Sequence, residues 1–243
     1  MHREIHKWWS PNLNKEMEIA VYGHYGYALL MFPTAAADYL EYERFQLIDS
    51  ISPFINDGKV KAFSINSINT EIWLNRDAHP SQKAIRHQHY NQYVTEEVVP
   101  FIESHCQNPV PIVTTGASMG ALHSANVLLR RPDLFSGTIA MSGVYDLKIF
   151  TNGFYDDNCY FNSPVDYLPQ WNDEHILNML RHKSIIIASG QGPYENPDAS
   201  RRLSDILNSK GIQHWLDLWG HDMPHDWPTW RQMLPYFLGN INY

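Results

Sequence analysis

Residues 116–120, Gly-Ala-Ser-Met-Gly, decide which fold this sequence is expected to adopt. They follow a short apolar run over residues 110–115, which predicts a buried strand. They precede residues 121–130, which are rich in helix-forming side chains. A Gly-x-Ser-x-Gly pattern between a strand and a helix is typical of a sharp turn that presents a serine as a nucleophile. Ser118 is therefore the first candidate catalytic residue.

Both glycines of this pattern are expected for steric reasons. Such a turn strains the serine backbone, and a side chain at position 116 or 120 would collide with the neighbouring strand or helix. The serine hydroxyl then stands clear of the sheet, and the start of the next helix offers backbone N–H groups to a negative oxygen. The backbone N–H of Met119 is thus a candidate donor of an oxyanion hole.

Length, composition and charge indicate one globular domain and exclude some partners. The chain has 243 residues, of which 44% are hydrophobic, and this suffices for a sizeable core. Because no repeat, low-complexity segment or Gly/Ser linker interrupts it, we predict a single domain over residues 1–243. The net charge of −8 opposes binding to nucleic acid or to an anionic membrane surface.

Cysteine content and apolar segments indicate the compartment. Cys106 and Cys159 are too few for a disulfide framework in a chain of this length. Residues 1–9 lack the continuous apolar core of a secretory signal, and no apolar run approaches the ~20 residues of a membrane span. We therefore expect a cytoplasmic protein with reduced thiols and no membrane attachment.

Predicted strands and helices alternate along the chain. The predicted strands are 17–22, which alternates like a half-exposed edge strand, and 28–32, 60–65, 110–115, 138–141, 184–188 and 214–218. The predicted helices are 43–51, 81–106 with a kink or break at Pro100, 121–130, 173–181, 198–210 and 227–238. This order indicates the α/β class, with a mainly parallel sheet and helices on both faces.

Residues 144–170 are a long stretch without a clear hydrophobic period, and Asp, Asn, Gly and Pro recur in it. Long irregular segments in compact domains are usually functional. We expect this segment to act as a cap or to line a cleft.

A serine nucleophile needs a base and a carboxylate that orients the base. In the fold that this turn indicates, the chain order is Ser, acid, His, with the acid and the histidine on loops after later strands. The loop after strand 184–188 offers Glu195 and Asp198 as the acid. Asp198 is also suited to cap the helix that begins near it, which favours Glu195. Asp217 lies within a predicted strand and is less well placed.

His221 and His225 both lie in the loop after strand 214–218, and spacing alone does not separate them as candidate bases. Their four-residue spacing, with two aspartates nearby, would also suit a metal pair on a helix. The Met-Pro pair at 223–224 opposes a helix, so we expect no metal there.

Several motifs together make the chain resemble the putative esterase family of α/β-hydrolases, which includes esterase D, feruloyl esterases and mycolyltransferases. The resemblance covers residues 17–240. It rests on residues 116–120, Arg-Pro-Asp-Leu-Phe at 131–135, Met-Ser-Gly at 141–143 and His-Asp-Trp-Pro-Thr-Trp at 225–230. The family base precedes a short polar residue and Trp, with a second Trp three residues further on, which implies His225. The family acid lies a few residues past the glycine that ends the penultimate strand, which implies Glu195.

The second oxyanion donor is expected from the loop after strand 28–32. Residues 33–37, Pro-Thr-Ala-Ala-Ala, lack the His-Gly-Gly run that many relatives carry, but their small side chains allow a substrate to approach the backbone. We expect the backbone N–H of Thr34 or Ala35 to be this second donor.

The remaining histidines are given structural roles. His123, one helical turn past Ser118, is expected to pack against a neighbouring element. His79, His87 and His89 lie in or near a polar helix and are expected to be solvated.

The resemblance and the residues predict hydrolysis of a small or medium carboxylic ester through an acyl-enzyme, with no cofactor and no metal. An acyltransferase would use the same Ser118, Glu195 and His225. A binding protein on a hydrolase scaffold that has lost turnover is the alternative of another class. The expected partner is a small-molecule ester, and a homo-oligomer is compatible with the sequence.

Overall fold

A single eight-stranded sheet runs through the protein, and the computed structural model covers residues 1–243. The strands are β1 (Arg3–Ser10), β2 (Lys15–Tyr22), β3 (Tyr27–Phe32), β4 (Val60–Ile65), β5 (Ile112–Ala117), β6 (Gly137–Met141), β7 (Ser184–Ser189) and β8 (Trp215–Leu218). Their order across the sheet is β1-β2-β4-β3-β5-β6-β7-β8. The β1–β2 and β2–β4 pairs are antiparallel, and all other neighbours are parallel. The predicted mainly parallel α/β-hydrolase sheet is confirmed.

Helices cover both faces of this sheet, as the alternation of elements predicts. The α-helices are α1 (Glu41–Arg44), α2 (Leu47–Ser50), α3 (Ser52–Asn56), α4 (Pro80–Tyr93), α5 (Val99–Cys106), α6 (Met119–Arg130), α7 (Asp157–Tyr160), α8 (Pro164–Tyr167), α9 (Glu174–Leu180), α10 (Pro197–Ser209) and α11 (Trp227–Asn240). One core lies between the sheet and helices α4 to α10, and a second lies between the sheet and α1 to α3 with α11. Strands β3 to β6 are buried along their whole length, which explains the continuous apolar run of β3.

Strand β2 is not the edge strand that its alternating sequence predicts. The edge is β1, which pairs with β2 over its whole length and was not predicted as a strand. Side chains of β1 alternate between exposed and half-buried, because helices cover only one of its faces. Charged and aromatic residues occur on both of these faces, so the sequence of β1 has neither an apolar run nor an apolar–polar alternation to detect.

The helix predicted over residues 43–51 is wrong. The segment forms the short helices α1 and α2, followed by α3. Gln46 has a φ of 62° between α1 and α2. This left-handed conformation interrupts an α-helix. The sequence has no glycine or proline within 43–51 to reveal the interruption.

The helical region predicted over 81–106, with a kink or break at Pro100, is interrupted just before that proline. A π-helical turn, Val94–Val98, separates α4 from α5, and Pro100 is at the start of α5. Proline has no backbone N–H to donate to a preceding turn, so it is tolerated at the first positions of a helix.

His87 is buried in α4, so its predicted solvation is wrong. Its Nδ1 accepts a hydrogen bond from Trp73 Nε1 at 3.1 Å, and its ring lies edge-on to His123 at 4.8 Å between centroids. Burial lowers the pKa of His87 well below its ordinary value, so the ring is neutral.

Both cysteines are free thiols. Burial raises the pKa of Cys106 and raises that of Cys159 to about 11. Since the thiolate is the nucleophilic form, neither cysteine is activated at neutral pH. No helix of the structure combines the length and the apolarity that crossing a bilayer requires.

Glu97 anchors the edge strand β1 to the helical layer. Its carboxylate accepts hydrogen bonds from Trp8 Nε1 and Ser10 Oγ, both at 2.7 Å. It also accepts from the backbone and side-chain nitrogens of Asn12, at 3.3 and 2.9 Å. One residue of the π-helical turn therefore holds the end of β1 and the turn that follows it.

We expect Glu97→Ala to lower the free energy of unfolding by about 2 kcal/mol, because several donors lose a charged acceptor. The matched control is Glu96→Ala, whose exposed carboxylate contacts Asn12 Nδ2 at 3.4 Å. It should change the free energy by less than about 0.5 kcal/mol. Urea denaturation of both variants measures the difference, and equal losses would contradict the anchoring role of Glu97.

Candidate active site

Ser118 lies on the strained turn between β5 and α6. Its φ is 58° and its ψ is −119°, a conformation that favours glycine and is rare for other residues. Its backbone N–H donates to Met141 O on β6 at 2.9 Å, which ties the turn to the neighbouring strand. Strain of this kind persists only where the surrounding structure imposes it, and it is concentrated at functional sites.

The surrounding structure imposes this turn through two close backbone contacts. A Cβ on Gly116 would lie 2.4 Å from the carbonyl group of Gly120. A Cβ on Gly120 would lie 2.3 Å from Phe32 O and 2.7 Å from Pro33 O. Both glycines are thus required by close approach, as the sequence predicts, and α6 begins directly against the end of β3.

Glu195 and His225 are in contact, with 3.2 Å between Glu195 Oε2 and His225 Nδ1. The Glu195 side chain is 1% exposed and that of His225 is 24% exposed. Because an ionised carboxylate only accepts hydrogen bonds, Nδ1 carries the proton and Nε2 keeps a free lone pair. The imidazole also packs edge-on against Trp230. The arrangement presents Nε2 as the basic nitrogen.

Further hydrogen bonds hold the Glu195 carboxylate. Its Oε1 accepts from Ser142 Oγ at 2.6 Å and from Gly190 N at 3.2 Å. Burial raises the pKa of Glu195, but hydrogen bonds from His225 and Ser142 outweigh this effect and hold the pKa below its ordinary value. Glu195 is therefore ionised at neutral pH and can stabilise a protonated His225.

Ser142 connects the acid to the nucleophile turn and was missed as a site residue. Its hydroxyl donates to Glu195 and accepts from Trp230 Nε1 at 3.0 Å. The residue before it, Met141, accepts the hydrogen bond from Ser118 N. The Met-Ser-Gly at 141–143 is one of the motifs that carry the family resemblance, and it is the signal that could have identified Ser142.

The loop that carries Glu195 is interlocked with the loop that carries His225. A Cβ on Gly190 would lie 2.1 Å from Met223 O, and one on Gly192 would lie 2.6 Å from the same oxygen. Gly192 N donates to Met223 O, and His225 N donates to Pro193 O, both at 3.0 Å. The two glycines let the loops touch and bring the acid and base together.

The alternative candidates for the acid and the base take no part in the contact between Glu195 and His225. His221 is exposed, and its Nδ1 faces Gln191 O at 3.3 Å. Asp198 is 86% exposed and pairs with Arg201 at 2.8 Å. It lies in the first turn of α10, after the capping position at Asn196, so its predicted capping role is wrong. Asp217 lies within β8 and pairs in register with Ala188.

The two candidate oxyanion donors of the 33–37 loop differ in whether their backbone N–H is already hydrogen-bonded. Thr34 N donates to Glu41 Oε2 at 2.7 Å, and Thr34 Oγ1 donates to Glu41 Oε1 at 2.5 Å. The Thr34 N–H is therefore engaged and does not point to a substrate. Ala35 is exposed, and its N–H, like that of Met119 at the start of α6, makes no hydrogen bond within the protein. This leaves Met119 and Ala35 as the candidate pair.

Buried polar groups fix the position of this loop. Asn69 Nδ2 donates to Thr34 O at 2.6 Å and to Ala35 O at 2.8 Å. Asn69 Oδ1 contacts His123 Nε2 at 2.8 Å, so the buried His123 supports the loop from α6. Tyr42 OH donates to Phe32 O and accepts from Ala117 N, which joins the ends of β3 and β5. The packing role predicted for His123 is confirmed.

A cavity of about 280 Å³ lies between residues 144–170 and the start of α10. The segment is ordered as α7, α8 and two 3-10 turns, Leu147–Phe150 and Leu168–Gln170. Tyr145, Ile149 and Val165 give the cavity an apolar wall, and Asn196, next to Glu195, contributes to its rim.

We expect Gly120→Ala to lower the free energy of unfolding by about 3 kcal/mol, because the added Cβ would collide with two backbone oxygens. The matched control is Gly239→Ala in α11, where the nearest atom to a Cβ is Phe54 Cζ at 3.9 Å. It should stabilise the protein by about 0.5–1 kcal/mol through helix propensity. Thermal and urea unfolding of both variants check this, and a neutral Gly120→Ala would contradict the close approach.

Comparison with solved structures shows that this architecture is shared over nearly the whole chain. A ferulic acid esterase is 18% identical with a TM-score of 0.77, covering 98% of this chain and 96% of its own. Fluorophosphonate-binding serine hydrolase F of Staphylococcus aureus is 15% identical with a TM-score of 0.72, covering 98% and 97%. The Mycobacterium tuberculosis protein MPT51 is 15% identical with a TM-score of 0.73, covering 99% and 98%. At these identities the likeness shows the fold.

Comparison of the sequence with family models assigns the family. The model described as "Putative esterase" matches residues 34–241, which include the Ser118 turn and both interlocked loops. No curated protein matches the chain. The chain therefore belongs to the putative esterase family.

Proposed function

We propose that the protein hydrolyses small or medium carboxylic esters through an acyl-enzyme on Ser118, with His225 as base and Glu195 as its orienting acid. The observation that carries this proposal is the buried, ionised Glu195 bonded to Nδ1 of a half-exposed His225. A carboxylate held there by several donors is suited to fixing the tautomer of the base. The strained Ser118 turn and membership of the esterase family support the same conclusion.

In the acylation step, Ser118 Oγ attacks the ester carbonyl carbon while its proton moves to His225 Nε2. The carbonyl oxygen becomes an oxyanion, which the N–H groups of Met119 and Ala35 stabilise. Collapse of the tetrahedral intermediate breaks the ester C–O bond. His225 returns its proton to the leaving alkoxide, so that an alcohol departs and the acyl group remains on Ser118.

In the deacylation step, His225 Nε2 takes a proton from water, and the resulting hydroxide attacks the acyl-enzyme carbonyl. The same two N–H groups hold the second oxyanion. Ser118 leaves with the proton from His225, and the carboxylic acid is released. Glu195 stays ionised throughout and stabilises the imidazolium that forms in each step.

We propose that residues 144–170 line the cleft in which the substrate binds. The cavity of about 280 Å³ is lined by both apolar and charged side chains of this segment and of the start of α10, and its lining includes Asn196, the residue after Glu195. A cavity of that volume accommodates an acyl or alcohol group of modest size. Measuring kcat/KM over chromogenic esters of increasing acyl length tests this, with a maximum expected at short or medium chains.

Two replacements of Ser118 separate the loss of the nucleophile from the relief of backbone strain. Ser118→Ala and Ser118→Gly should each lower kcat/KM by about 10⁴-fold or more, because the attacking oxygen is gone. Ser118→Gly should also exceed Ser118→Ala in stability by about 1 kcal/mol, since glycine adopts this φ and ψ without strain. Ester kinetics and urea unfolding measure the two effects. Retention of a tenth of wild-type turnover by Ser118→Ala would contradict the proposed nucleophile.

Two variants distinguish His225 from His221 as the catalytic base. His225→Ala should abolish turnover about as completely as Ser118→Ala, since residues that act as one unit are strongly non-additive. His221→Ala is the matched control in the same loop and should retain measurable turnover, because its exposed ring is hydrogen-bonded to Gln191 O and not to Glu195. Steady-state kinetics on folded variants decides this. A larger loss at His221 would reverse the assignment of the base.

A further inference from the structure

A second cluster of ionisable side chains lies at the β1 edge of the sheet, away from the esterase site. Glu4 is its centre, and three imidazole Nε2 atoms surround the Glu4 carboxylate. His2 lies at 2.5 Å from Oε1, and His6 and His105 lie at 2.7 and 3.1 Å from Oε2. One carboxylate thus faces three imidazoles, which is more than a single ion pair requires.

The strand geometry of β1 brings these residues together. His2, Glu4 and His6 are two residues apart, so they share one face of the chain. That is the face that helices cover, because Trp8 and Ser10 continue it to Glu97. His105, in the last turn of α5, approaches the same face from the helical layer.

The ring of His105 is oriented toward the cluster. Its side chain is 15% exposed and packs edge-on against Phe63 at 5.7 Å between centroids. Its Nδ1 is buried without a hydrogen-bond partner, so Nε2, which faces Glu4, is the nitrogen available for polar contacts. A cation at this place would also face the C-terminal end of α5, where the helix dipole is negative.

The donor set has the composition and spacing of a zinc site. Ligand atoms of Glu4, His6 and His105 all lie within 4.8 Å of one another. In a tetrahedral zinc site with bonds of about 2.0–2.2 Å, ligand atoms are about 3.4 Å apart. Small side-chain rotations therefore suffice to bring these three groups around an ion. The exposed His2, whose Nε2 lies 2.5 Å from Glu4 Oε1, lies outside this group of three and has to turn further to become a fourth ligand. Imidazole nitrogen favours zinc over calcium or magnesium.

We propose that Glu4, His6 and His105, with His2 as fourth ligand, bind a zinc ion that clips the edge strand β1 to α5. Binding replaces the hydrogen bonds between Nε2 and Glu4 by bonds to zinc, so the Nε2 proton of a neutral ring moves to its Nδ1, and a protonated ring releases one proton to water. The site lies at the opposite edge of the sheet from β7 and β8, which carry the Glu195 and His225 loops. Its role is to stabilise the fold, and the ester chemistry does not pass through it.

The proposed zinc site is tested on chelator-treated protein. Zinc affinity is measured by competition with a chromophoric chelator, and the effect on stability is measured by the melting temperature. Wild type should bind one ion per chain and melt at a higher temperature with zinc, since a ligand that binds the native state stabilises it. Glu4→Gln and His6→Gln should each weaken binding by at least about tenfold and remove the shift. Both side chains are partly exposed at the sheet edge, which favours folded variants.

The matched control is His175→Gln, which removes an exposed histidine from α9 and should bind zinc as wild type does. Cobalt substituted for zinc should give the intense visible absorption of tetrahedral coordination in wild type and lose it in Glu4→Gln. Chelator treatment should leave ester hydrolysis unchanged, so a failure of this site is distinguishable from a failure of the esterase proposal. Equal zinc affinity in wild type and in both cluster variants would overturn the proposal.

Discussion

The close approach of three backbone segments at the carboxyl ends of the central strands is the constraint on which the site depends. Gly120 at the start of α6 lies against Phe32 O and Pro33 O at the end of β3, and Gly116 lies against Gly120. This contact forces Ser118 into its strained conformation and leaves the first N–H of α6 unpaired beside the 33–37 loop. One steric junction therefore positions both the candidate nucleophile and its oxyanion donors.

Much of the fold could be predicted because burial on both faces of a parallel sheet leaves continuous apolar runs. That signal identified β3, β6 and β7, and Pro100 marked the interruption of the helical region 81–106. It failed at β1, where only one face is covered and the sequence alternates histidine and glutamate with exposed residues. It failed again over 43–51, since the left-handed Gln46 that divides the helix depends on tertiary packing and has no local sequence signature.

The candidate site was likewise predictable only in part. Ser118, Glu195 and His225 were predicted because chain order and short motifs encode them, and the structure places Glu195 and His225 in contact. The partners that support them are encoded by long-range contacts and could not be predicted from spacing. Examples are Ser142, which bonds Glu195, and Glu41, which takes the Thr34 N–H and leaves Ala35 as the candidate donor. The histidine cluster around Glu4 was invisible for the same reason, since His105 is distant in sequence.

The proposed chemistry requires that Ser118 be a nucleophile activated by His225 and Glu195. The most direct measurement is mass-spectrometric mapping of the residue that a fluorophosphonate modifies in the folded protein, since such reagents trap activated serines. We predict one adduct per chain, located on Ser118 in the peptide that contains residues 116–120. Absence of an adduct, or an adduct on another residue with Ser118 unmodified, would contradict it.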